Sequence, residues 1–185
     1  LDLTGDCLPR DAVAAIERAD GGRLASLAEA HLAYAKAYHL YLRDRIVEAR
    51  PIFAHVLKEF LRARSPFGFW ARFYLAACDH KDNQPGRAKA LSGEAKALSY
   101  LNVTGQTEWM IGLSDLEQGD AERALPRSRE ALWAFQKTRE LGNQGAVSSL
   151  IANCLHYMGA EREAWRYRYQ ALGAAALSGD LARVA

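Results

Sequence analysis

Apolar residues recur at every third or fourth position through most of this chain, the spacing of one face of an α-helix. Short clusters of turn formers interrupt that rhythm: Gly21-Gly22, Arg43-Asp44, Ser65-Pro66, Asp82-Asn83-Gln84-Pro85-Gly86, Thr104-Gly105, Gly119-Asp120, Gly142-Asn143 and Gly159. The segments between them predict about nine helices, roughly at 9–20, 23–43, 45–64, 67–81, 85–101, 106–118, 120–141, 144–158 and 160–178.

The helices fall into a repeat. Ala49, Ala88, Ala124 and Ala164 are 39, 36 and 40 residues apart. Each follows a small residue twelve positions earlier, at Ala37, Ala76, Gly112 and Ala152. Each also follows a turn former, at Asp44, Asn83, Gly119 and Gly159, and a charged residue, at Glu48, Arg87, Arg123 and Glu163. Val56, Ala95, Ala131 and Ala171 occupy a later slot. The predicted unit is a helix, a tight turn capped by a residue such as Asp120, and a second, antiparallel helix. Small residues at the crossing let the two backbones approach. One hairpin cannot bury both apolar faces, so units stack. The division is a leading helix over about 9–22 and four units at about 23–64, 67–101, 106–141 and 144–178. Pro51 and Pro126 share a slot inside the second helix, either as a repeated bend or as a tolerated defect on an outward face.

Composition sharpens this. The 185 residues include 34 Ala and 24 Leu but only 15 Val, Ile and Thr together. That balance favours helix and argues against a sheet. Acids and bases are interspersed and the net charge is +2, without the clustered basic footprint of a nucleic-acid binder. Arg162, Arg166 and Arg168 form one local exception and read as a solvated helix face. The most apolar window, Phe67 to Cys78, is broken by Arg72 and is too short to span a bilayer, so no membrane association is expected. Cys7, Cys78 and Cys154 are widely spaced and lack any CxxC pattern, which argues against a disulfide framework. Thiols left reduced suit the cytoplasm. Opening on Leu1 rather than Met, the chain reads as a fragment of a larger protein. Gly179-Asp180 followed by Leu181 reads as the start of another helix.

The repeat resembles the tetratricopeptide-repeat family in a long-repeat variant. The likeness rests on Trp109-Met110-Ile111-Gly112, Gly119-Asp120, Arg123-Ala124-Leu125 and Ala131-Leu132. It continues in Ile151-Ala152, Gly159, Glu163-Ala164-Trp165 and Ala171-Leu172. The earlier units depart from it, with Lys36 and Lys96 at apolar slots. A narrower resemblance links Trp70-Ala71-Arg72-Phe73-Tyr74-Leu75-Ala76 and Glu163-Ala164-Trp165-Arg166-Tyr167-Arg168 to the repeat regions of bacterial proteins that carry a caspase-like CHAT protease domain. The family likeness implies an all-α superhelix of antiparallel hairpins whose first helices line a concave groove. The groove-facing slots are His31, Tyr34, Tyr38 and Tyr41; Trp70, Phe73 and His80; Trp109, Leu113 and Leu116; and Ser149, Asn153, His156 and Tyr157. Their apolar bodies and polar tips suit binding, with Trp70 and Trp109 as anchors, although the same residues also suit a core between helices.

The expected function is a non-catalytic protein- or peptide-binding scaffold. The alternatives are a sensor of a small molecule or signalling peptide controlling an attached effector domain, and an all-α enzyme with a site in the same groove. His31, His39, His55, His80 and His156 include no pair at metal-binding helical spacing, so no metal or cofactor is expected. Cys78 and Cys154 read as small core residues. No nucleophile elbow, phosphate loop or dinucleotide fingerprint is present.

Overall fold

In a computed structural model the described residues are 4–81 and 88–178, and the side chains of 80, 81, 88 and 89 lie outside the description. The predicted turns at 82–86 and 179–180, and the helix start beyond them, fall outside it too. Among the described residues the chain is all-helical: α1 (Leu8–Glu17), α2 (Gly21–Leu42), α3 (Ile46–Arg62), α4 (Phe67–Lys81), α5 (Ala88–Ala97), α6 (Leu101–Glu117), α7 (Ala121–Thr138), α8 (Leu141–Tyr157) and α9 (Glu161–Ser178). Packing divides the chain into two compact units. An N-terminal unit comprises Cys7–Leu91, and a C-terminal unit comprises Ser92–Ala185 with Leu1–Asp6. The division falls inside α5.

Within each unit, helices pack on their neighbours in sequence. In the N-terminal unit α2 lies on α3 and α3 on α4. In the C-terminal unit α6 lies on α7, α7 on α8 and α8 on α9. Tight turns join these pairs, so neighbours run antiparallel.

The turns are alike. Asp44 and Arg64, and then Ser99, Gly119, Arg139 and Gly159, all have positive φ and stand 20 residues apart within their units. After each, the next N–H donates to a carbonyl five residues back. Arg45 donates to Leu40 at 3.0 Å and Ser65 to Phe60 at 2.8 Å. Tyr100 donates to Ala95 at 2.9 Å, Asp120 to Asp115 at 2.9 Å, Glu140 to Phe135 at 3.0 Å and Ala160 to Leu155 at 2.8 Å. This is the Schellman closure, which satisfies carbonyls left unpaired at a helix end. The repeat is therefore built of half-units of 20 residues.

The small-residue slots lie at the crossings. Ala37, Ala49, Ala76, Ala124, Ala152 and Ala164 are buried, as are Val56, Ala95, Ala131 and Ala171 in the later slot. A Cβ added to Gly112 would stand 3.3 Å from the Ala124 carbonyl, so α6 and α7 approach there as the spacing predicts. The Asp120 carboxylate accepts from the Arg123 N–H at 3.0 Å and caps α7. Pro51 and Pro126 stand inside α3 and α7 on solvent-exposed positions.

Two predicted turns are displaced. Thr104-Gly105 lies inside α6, which begins at Leu101 rather than near 106. Gly105 serves close packing instead, because a Cβ there would sit 2.8 Å from Phe135 Cε1. Gly142-Asn143 lies in the first turn of α8, which begins at Leu141 rather than near 144. The chain reverses at Ser99 and Arg139, which adopt the left-handed conformation without being glycine.

Candidate functional site

In the N-terminal unit the candidate aromatics pack on one another. Tyr34, Tyr38 and Tyr41 lie along α2, and each rests against Tyr74 of α4, with ring centroids 6.0, 5.4 and 5.2 Å apart. Tyr74 stacks on the buried Phe53 of α3 at 5.1 Å. His31 meets Phe67 edge-on at 4.4 Å and Phe60 at 4.9 Å. Trp70 contacts Phe73 at 5.9 Å and Tyr74 at 6.4 Å. Phe73 is buried, and Tyr34, Tyr38, Tyr41 and Trp70 are half-buried. Burial raises the Tyr34 and Tyr74 hydroxyls far above their ordinary value; Tyr38 adds to the rise at Tyr34, where a hydrogen bond with Tyr74 opposes it, and Tyr34, Tyr38 and Tyr41 add to the rise at Tyr74. Burial and the nearby Cys78 and Asp44 raise Tyr41. Burial lowers His31, which favours its neutral form. These rings form the layer that joins α2, α3 and α4. The His80 side chain lies outside the described residues.

In the C-terminal unit the remaining candidates differ in exposure. Trp109 and Leu116 are partly buried against the α7–α8 core, with Trp109 edge-on to Phe135 at 6.2 Å. Leu113, Asn153, His156 and Tyr157 face solvent, and Tyr157 is 74% exposed. Ser149 is half-buried. The His156 Nδ1 pairs with Glu161 at the start of α9. Tyr157 and Met158 border a shallow hollow of about 470 Å³ with Gln118, Asp120 and Glu122.

Two features escape the sequence reading. The first is a buried ionic cluster. Glu108 of α6 is 0% exposed. It accepts from the Ser92 hydroxyl, from Lys96 Nζ at 2.8 Å and from Arg127 at 3.0 Å. Lys96 also reaches Glu130 at 2.8 Å. Burial alone would raise the Glu108 carboxyl, but bonds from Lys96, Ser92 and Arg127 outweigh it and hold it below its ordinary value. Burial would lower the Lys96 ammonium, but Glu108 and Glu130 outweigh that and raise it. Lys96 stands where the later units carry Leu132 and Leu172, and this was the available signal. Its two partners, Glu108 and Glu130, lie on two other helices, and no spacing in the sequence links them to it. The carboxylate is saturated by its own neighbours, so the arrangement holds α5, α6 and α7 together and offers no poised acid or base.

The second is the outer face of α9. Trp165 is 53%, Tyr169 69% and Leu172 54% exposed. They occupy positions i, i+4 and i+7, one face of the helix. The Arg168 guanidinium lies 4.8 Å from the Trp165 ring centroid, within cation–π range. Sequence periodicity alone cannot separate such a stripe from one that is covered.

Among the described residues, no group of three His, Cys, Asp or Glu side chains is arranged to hold a metal ion. No described helix is long and apolar enough to cross a membrane. Cys78 and Cys154 are buried, and burial raises the Cys154 thiol. No known family, curated protein or solved structure matches the chain.

Proposed function

We propose that the chain is a non-catalytic protein- or peptide-binding module of tetratricopeptide-like build, whose stacked hairpins present a rigid surface to a polypeptide partner. The observation that carries this reading is the outer face of α9. Three large side chains, Trp165, Tyr169 and Leu172, stand exposed in one helical stripe, whereas Leu113 of α6, Trp133 of α7, and Leu141 and Tyr157 at opposite ends of α8 are exposed singly. Exposed apolar stripes of this kind mark interaction surfaces, and Trp, Tyr and Arg are the residue types that dominate binding energy. The anchor of the reading moves accordingly. Trp70 and Trp109 are half-buried, whereas Trp165 is more than half exposed. The buried charges of the C-terminal unit neutralise one another, which supports a scaffold over a reaction centre. Three cysteines held as thiols support a reducing, cytoplasmic address.

Selection of displayed random peptides against the immobilised chain tests the reading. The expected binders lose affinity roughly tenfold or more when Trp165→Ala and Leu172→Ala are combined, since truncating central anchors costs 2 kcal/mol or more. Recovery of no binder above an unrelated helical scaffold would contradict it.

A further inference from the structure

We infer that the tyrosine cluster of the N-terminal unit is an oxidative cross-linking site: under one-electron oxidation Tyr74 of α4 joins Tyr38 of α2 through a carbon–carbon bond. The site lies within one compact unit and does not depend on the binding-module reading.

Among the described residues, every pair of tyrosines in ring contact includes Tyr74, which meets Tyr34, Tyr38 and Tyr41 at 6.0, 5.4 and 5.2 Å. The buried Phe53 stacks on Tyr74 at 5.1 Å, and Phe73 meets it edge-on at 5.0 Å. Tyr74 is thereby held in place among three phenols of α2. The Tyr74 hydroxyl is also hydrogen-bonded to that of Tyr38. A bond between two hydroxyls brings together the ring edges that carry them, and with them the ortho carbons. Tyr34 shares such a bond with Tyr74, but its ring stands farther off. Tyr41 comes as near by ring centroid, and the hydroxyl bond decides for Tyr38.

Oxidation of a phenol takes an electron from the ring and a proton from the hydroxyl. Burial holds the Tyr74 hydroxyl far above its ordinary value, so both leave together from the neutral phenol. The resulting radical carries its spin on the oxygen and on the ortho and para carbons, and the para carbon already bears Cβ. Two such radicals held side by side couple ortho to ortho. The two ortho hydrogens then leave as protons, and the two oxygens take protons back. In sum the pair loses two electrons and two protons and gains one carbon–carbon bond. The co-reactant is a small one-electron oxidant, consumed twice, of the class that peroxides generate at a redox metal. Tyr34, Tyr38, Tyr41 and Tyr74 are half-buried, so a small oxidant reaches the cluster more readily than a second chain does. Contact between the rings makes the coupling intramolecular. Tyr157 and Tyr169 are more exposed, but among the described residues neither has a second tyrosine in ring contact. The new bond ties α2 to α4 and closes a loop in the chain, as a disulfide does.

The test exposes the intact chain, at high dilution, to photogenerated tris(bipyridine)ruthenium(III) with persulfate as the final electron acceptor. Each persulfate takes up two electrons and becomes two sulfates, so one is consumed per cross-link. The quenched chain is digested with trypsin and read by tandem mass spectrometry. The expected product joins residues 37–43 to residues 73–81 at two hydrogens below their summed mass, with fragment ions placing the bond between Tyr38 and Tyr74. It is lost in Tyr38→Phe and in Tyr74→Phe, and kept in Tyr41→Phe; circular dichroism confirms that all three fold. It is also lost when the chain is oxidised in urea, because only the fold holds the two rings together. The cross-linked chain unfolds at a higher urea concentration than the untreated one. A bond mapped to Tyr34 or Tyr41, dityrosine that survives Tyr74→Phe, an equal yield from the unfolded chain, or cross-links formed only between chains would overturn the inference. So would oxidation of the tryptophans with no cross-link at all.

Discussion

Gly105 of α6 lies flat against the ring of Phe135 of α7, so close that a single added carbon would come within 2.8 Å of Cε1. Phe135 is fully buried, so the ring has no solvent-side path by which to retreat. Gly105→Ala is therefore expected to destabilise the chain by about 1–3 kcal/mol, the usual cost of overpacking. Gly173 of α9 has nothing within 4 Å of its position. Gly173→Ala is expected to stabilise by about 0.5–1 kcal/mol through helix propensity alone. Urea denaturation of the two variants should move in opposite directions. The same sign for both would remove the close-packing account of Gly105.

The turn geometry predicts a gain from glycine at two positions where it is missing. Ser99 and Arg139 hold positive φ at helix ends, with φ of 56° and 61°. A side chain in that conformation costs roughly 1–2 kcal/mol, partly offset by the entropy glycine loses on folding. Ser99→Gly and Arg139→Gly are each expected to raise stability by about 0.5–1 kcal/mol. Gly119→Ala, at φ 82°, is expected to lower it. Thermal melts compare the three, and a loss on Arg139→Gly would show that its side chain holds the turn by other means.

These positions also mark how far the sequence was legible. The 3.6-residue rhythm and the small residues at Ala37, Ala49, Gly112, Ala124, Ala152 and Ala164 gave the hairpins, because close backbone approach demands small side chains whatever the neighbours are. Helix ends closed by Gly119 and Gly159 were equally readable. The end at Arg64 was marked by the following Ser65-Pro66, but those closed by Ser99 and Arg139 were not readable, since the hydrogen bonds that stabilise a left-handed residue there leave no mark in composition. Thr104-Gly105 looked like punctuation because glycine is ambiguous between a turn and a tight contact. Among candidate binding residues, Tyr34, Tyr38 and Trp109 have the same residue types as Trp165 and Tyr169. What differs is whether a later helix covers them, and that depends on packing order.

Glu108 predicts an acid-sensitive core. Its folded carboxyl lies below the ordinary value of 4.5, so the ionised form favours folding. That stabilisation is complete above the unfolded pKa and is lost as pH falls through the lower folded value. Glu108→Gln leaves Lys96 and Arg127 facing a neutral amide and is expected to cost about 3 kcal/mol or more at neutral pH. The gap between wild type and variant should narrow below about pH 4. Stability curves that stay parallel from pH 7 to pH 3 would contradict this.

His31 works in the next window up. Burial lowers its folded value below the ordinary 6.5, so the neutral ring is the one that fits between Phe60 and Phe67. The unfolded chain takes up the proton first as pH falls. Stability is therefore full above about pH 6.5 and declines below it, until the folded ring also protonates. His31→Leu should flatten this decline. Denaturation midpoints at pH 7.5 and 5.5 read it directly, and an unchanged slope would place the dependence on another group.

The most direct measurement of the functional account uses the four tryptophans as reporters. With 5-fluorotryptophan incorporated, each of Trp70, Trp109, Trp133 and Trp165 gives its own fluorine resonance, assigned by single Trp→Phe substitutions. Addition of a saturating peptide selected for binding is expected to shift or broaden the Trp165 line while Trp70 and Trp109 stay in place. A shift centred on Trp70 or Trp109 with Trp165 unmoved would contradict the assignment of the binding surface to α9.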